Sequence, residues 1–86
     1  MSRHQQAAVT MIERQIAQIR ASDYPSSEFC QGMIQANYAQ GFIDERQVEE
    51  FEQLAADAVL IRRRAIHQAG MARKLGGLHQ LHGGVA

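Results

Sequence analysis

Residues 40–48 read Gln40-Gly41-Phe42-Ile43-Asp44-Glu45-Arg46-Gln47-Val48, and this stretch decides the fold. Asp44 is placed to accept the amide of Gln47 while the Gln47 side chain reaches back to the amide of Asp44, and Ile43 is placed to staple onto Val48 across that cap. A helix starts here. Just upstream, Gly41 can take the positive φ that closes a preceding helix, with Phe42 folding back over its last turn. The stretch is therefore the corner of a helical hairpin.

On the C-terminal side, Val48, Phe51, Leu54, Ala55, Ala58, Ile61 and Ala65 form one apolar stripe, with no breaker before Gly70. A helix over 44–69 would be about 39 Å long. On the N-terminal side, Phe29, Cys30, Met33, Ile34, Ala36 and Tyr38 cover more than one stripe of a helix over 27–40, which would be about 21 Å long. That spread suggests two neighbours and makes this the expected central helix. Ser26 and Ser27 can accept its free amides, with Glu28 favourable at the positive end of the dipole.

Pro25, the only proline, marks the other corner, because it disfavours helical geometry at Tyr24 and lacks an amide donor. Before it, Val9, Ile12, Ile16 and Ile19 recur at 3-4-3 spacing over a helix 3–21. No segment alternates with period two for long enough to read as a strand. The expected class is all-α: a small three-helix bundle, or a helical hairpin with an added N-terminal helix, and a short C-terminal helical tail. Residues 1–69 form the single helical domain. Residues 70–86 hold five of the seven glycines, but Met71, Leu75, Leu78 and Leu81 recur at helical steps, so a docked helical piece is expected there.

Eighty-six residues, 45% of them apolar, support one modest core. No apolar run approaches 18 residues, which predicts no membrane span and no membrane partner. The opening Met1-Ser2-Arg3-His4-Gln5-Gln6 lacks an apolar leader core, so a cytoplasmic protein is expected. Nine basic and nine acidic residues cancel, but they are sorted along the chain. Residues 44–57 carry six carboxylates against Arg46, or −5, whereas Arg62, Arg63, Arg64, Arg73 and Lys74 give 58–74 a charge of +5. A near-zero total leaves little repulsion to oppose self-association.

Candidate chemistry is sparse. In a helix-turn-helix with Gly41 as turn glycine, the later core positions would fall on Gln47 and Glu50, and the second helix would present Glu45, Glu49, Glu50 and Glu52 to phosphates. Both the register and the charge argue against it. The three consecutive arginines span about 200° of helix surface and cannot all face one groove. Arg62 falls on the apolar stripe, where an arginine snorkels or meets a carboxylate. His79 and His82 are spaced like a ligand pair, but a third ligand would have to come from His67, His4 or Cys30. Cys30, beside Phe29 and near Met33 and Ile34, reads as a packed thiol. The reading expects no catalytic residue, no cofactor and no metal.

What remains is a non-catalytic, small cytoplasmic protein-interaction module: a regulator, inhibitor or adaptor of a protein partner whose identity the sequence does not give. The alternative is a nucleic-acid-associated protein contacting phosphates through Arg63, Arg64, Arg73 and Lys74. A homodimer is also expected, because helix two can cover only half of the helix-three stripe. That leaves Ala58, Ile61, Arg62, Ala65, Ile66 and Ala69 as candidate interface residues, to be covered by helix one, the tail or a second copy. In an antiparallel pair each acidic half would lie beside the other copy's basic half, and Arg62 would gain a carboxylate.

Overall fold

The computed structural model describes residues 2–85, with side chains over 2–71. Three helices account for nearly all of it: α1, Arg3–Ala21; α2, Glu28–Ala39; and α3, Glu45–Val85. No strand occurs among the described residues. The all-α class is as expected, and the first two helices end within a residue of their expected limits.

Local chemistry explains the ends. Ser2 caps α1: its hydroxyl accepts from the Gln5 amide at 3.2 Å, and the Gln5 side chain accepts from the Ser2 amide at 2.8 Å. At the α2 start, Ser26 Oγ accepts the Glu28 amide at 3.3 Å, while Ser27 Oγ instead takes the Gln31 side chain at 3.1 Å. The end of α2 is a Schellman turn. Gly41 has φ +78°, its amide donates to Tyr38, and the Phe42 amide donates to Asn37, both at 3.0 Å. Asp44 and Gln47 make the reciprocal cap of α3, at 2.8 and 3.0 Å.

The order of the helices follows from two contacts at opposite ends. The His4 ring stacks on Phe42 with centroids 5.5 Å apart, so α1 begins beside the start of α3. The Arg62 guanidinium donates to the Ser22 carbonyl at 2.8 Å, so α1 ends beside the middle of α3. Helices α1 and α3 therefore run parallel, and α2 returns antiparallel between their ends. Ala8, Ile12, Ile16 and Ile19 of α1 meet Cys30 and Ile34 of α2, Ile43 of the turn, and Phe51, Ala55, Ala58 and Val59 of α3 in a single buried cluster. The small Ala55 and Ala58 receive the branched side chains at close approach.

Three expectations are corrected. First, α2 is not the central helix: the most extensive pairing is α1 with α3, and α2 buries only Cys30 and Ile34. Second, the covered arc of α3 is displaced from the expected stripe. Leu54 and Ile61 are 43% and 63% exposed and Ala65 is exposed, while Val59 is buried in their place. Two helices straddling Ala55 and Ala58 shield one arc, and seven stripe positions spread beyond it. Third, α3 does not end before Gly70 but continues without a break to Val85. A glycine inside a helix costs about 1 kcal/mol relative to alanine but removes no hydrogen bond, whereas a proline would. Docking of the tail through Met71, Leu75, Leu78 and Leu81 rests on side chains that, after Met71, lie outside the described residues.

At 1.5 Å per residue α1 is about 28 Å long, and the 41 residues of α3 reach about 62 Å. The longest dimension of the molecule is 67 Å. Past Arg62, α3 leaves the bundle.

Candidate functional site

The point where α3 leaves the bundle gathers more of the expected site residues than any other place. Arg62 projects from α3 toward the corner after α1, where the last carbonyls of that helix lack intrahelical partners and carry its negative dipole end. Its Nε donates to the Ser22 carbonyl, and its terminal NH2 lies 3.6 Å from an Asp23 carboxylate oxygen. With its side chain 29% exposed, Arg62 works as an intrachain clasp between residues 40 apart. A second copy is therefore not needed to give Arg62 a carboxylate. Arg62→Met, which keeps the stem but loses the donors, is expected to lower folding stability by about 1.5 kcal/mol. Asp23→Asn should cost less than about 0.5 kcal/mol, because Asp23 is 86% exposed. Urea denaturation of both variants checks the difference.

Two open grooves flank Ile66. Asp23, Arg62, Ala65, Ile66, Ala69 and Gly70 line one; Asp23, Tyr24, Pro25, Arg63, Ile66 and His67 line the other. Four of the six expected interface residues thus share one groove. The other two part from them: Ala58 is buried inside the bundle at 1% exposure, and Ile61 points away at 63%. Arg63 and Arg64 are exposed, on faces about 100° apart. The side chains of Arg73 and Lys74, the other expected phosphate contacts, lie outside the described residues, as do those of His79 and His82.

Two titratable groups, the buried Cys30 and the exposed Tyr38, are held in their neutral forms. Burial pushes the Cys30 thiol above its ordinary value, which disfavours the thiolate form that nucleophiles and metal ligands use. Tyr38 donates to Glu45 at 3.1 Å. That hydrogen bond, and then the Glu45 charge, raise its phenol above the usual range. Among the described residues, no three histidine, cysteine or acidic side chains are grouped to hold a metal ion, and no helix is long and apolar enough to cross a membrane.

Several large apolar side chains stay outside the core: Tyr24 at 91%, Phe29 at 68%, Ile61 at 63% and Leu60 at 61% exposure. The spacing of Phe29 on α2 places it among packed residues, but its side of α2 faces solvent because α1 pairs chiefly with α3. No family model, no curated protein and no solved structure matches the chain.

Proposed function

We propose that the protein is a non-catalytic interaction module, a small cytoplasmic regulator, inhibitor or adaptor that acts by binding a protein partner. The observation that carries this reading is the pair Leu60 and Ile61, both more than 60% exposed on α3 where the helix passes from its acidic half to its basic half and leaves the bundle. Apolar side chains on an elongated helix, bordered by charge of both signs, supply burial for affinity and charge for orientation. The raised Cys30 and Tyr38 groups support the non-catalytic part of the reading, since neither is poised to react at neutral pH.

The nucleic-acid reading draws on the exposed Arg63 and Arg64. A titration with mixed DNA and RNA at about 50 mM salt separates the two. The expected result is no binding. Tight binding that falls steeply with added salt, and that Arg63→Glu abolishes, would replace the protein-partner reading. Capture from an extract of the source cell then tests the surface itself: the wild-type chain should retain a partner that folded Leu60→Asp does not.

A further inference from the structure

Leu54 and Ile61 sit seven residues apart on α3 and lie within about 20° of each other around the helix. Both are well exposed, and Ala65 extends their line by one more turn. Asp57 and Arg64, again seven apart, form a parallel line alongside. Asp57 is half-buried and accepts from Gln53 at 2.9 Å through one carboxylate oxygen, and Arg64 is exposed. Neither line falls on the arc that α1 and α2 cover.

We propose that this double line is the contact between two copies of the chain, packed antiparallel about a two-fold axis that passes between the two α3 helices at the level of Val59 and Leu60. In that register Leu54 lies level with the partner's Ala65, a large side chain over a small one, and Asp57 lies about 3 Å along the helix from the level of the partner's Arg64, within the reach of an arginine side chain. The two-fold repeats both contacts. The surface is complementary to itself, as an isologous interface requires: a rotation that carries one end of the line onto the other exchanges carboxylate for guanidinium and leucine for alanine. Charge fixes the direction. A parallel pair would set the acidic halves side by side, whereas the antiparallel pair sets residues 44–57 at −5 beside residues 58–74 at +5. The zero net charge of the chain leaves no long-range repulsion between copies.

The inference deepens the reading of α3 as the binding helix and names a second copy as its occupant. It also revises the interface expected from sequence: Ile61 and Ala65 stay, Leu54, Asp57 and Arg64 enter, Ala58 is buried in the bundle, and Arg62, Ile66 and Ala69 remain in the neighbouring groove.

Sedimentation equilibrium at micromolar concentration tests it. The wild-type chain should sediment at twice 9.6 kDa. Ile61→Asp should weaken the dimer at least about thirtyfold with an unchanged helical circular dichroism spectrum. Asp57→Arg and Arg64→Asp should each weaken it about tenfold, and the two together should restore it to within about threefold of wild type. A wild-type chain that stays at 9.6 kDa, or a combined charge swap weaker than either single change, overturns the proposal. A monomer that still captures a partner through Leu60 would sink the dimer and leave the interaction module standing.

Discussion

Ile12→Ala is expected to cost about 4 kcal/mol of folding free energy. Ile12 has 0% exposure and stands among Ala8, Ile16 and Ile19 on the face that α1 presents to the core. Removing three buried carbons forfeits their transfer free energy and leaves a cavity that the rigid helix pair cannot close. A domain of this size has roughly 5–10 kcal/mol in total, so the variant should sit near its unfolding midpoint well below the wild-type denaturant concentration. Urea denaturation at one fixed protein concentration reads the change, because an associating chain gains apparent stability with concentration. Met11→Ala, on the same helix, is the control. At 50% exposure, it should shift stability by less than about 1 kcal/mol. A loss of under 1 kcal/mol for Ile12→Ala would mean that α1 is not seated on α3.

Ala55→Leu should be nearly as damaging, for the opposite reason. Ala55 is 0% exposed on the arc of α3 that faces both other helices. Three additional carbons there have no room unless α1 or α2 moves outward, and overpacking of this kind costs about 3 kcal/mol. The neighbouring Ala56 is exposed, and Ala56→Leu should stay within about 0.5 kcal/mol of wild type. The contrast between adjacent alanines locates the covered arc more sharply than any truncation, because leucine and alanine have similar helix propensity. Equal effects at the two positions would put the arc elsewhere.

The parts of this fold that were legible in the sequence are those written in local chemistry. Asp44 and Gln47 must be three apart to cap each other, Gly41 must come where φ turns positive, and Pro25 must end α1. Each of these signals lies within four residues of the structure it causes. The Ser2 and Gln5 cap of α1 has the same spacing as the Asp44 and Gln47 cap and is readable by the same rule. Gly70 misled because a glycine after the last apolar residue looks like a stop. Only a backbone that needs positive φ stops there, and that of α3 does not.

What the sequence could not show is which arc of each helix is covered, because that depends on partners far away in the chain. Leu54 and Val59 are equally apolar, and only the positions of α1 and α2 decide that Val59 goes inside while Leu54 stays out. The same holds for Arg62. Its place on the apolar stripe signalled that it needed a carboxylate or an open route to water, and the carboxylate was sought in a second copy. It comes from Asp23, with the Ser22 carbonyl beside it, across 40 residues of chain. The candidate surface is thus smaller than its sequence outline, since Ala58 is buried in the bundle's own packing and Arg62 is committed to the corner after α1.

The central claim is that α3 offers its Leu54–Ile61–Ala65 line to a second copy running the other way, and a disulfide-trapping measurement addresses it most directly. Leu54→Cys and Ala65→Cys chains are prepared separately, each keeping the buried Cys30, and are oxidised alone and as an equimolar mixture. The antiparallel register brings position 54 against the partner's position 65, so the expected result is a cross-linked species of twice 9.6 kDa forming fast in the mixture and slowly in either variant alone. Cross-linking of Leu54→Cys with itself as fast as in the mixture, the outcome for parallel helices, or no cross-linking in any sample, would contradict the account.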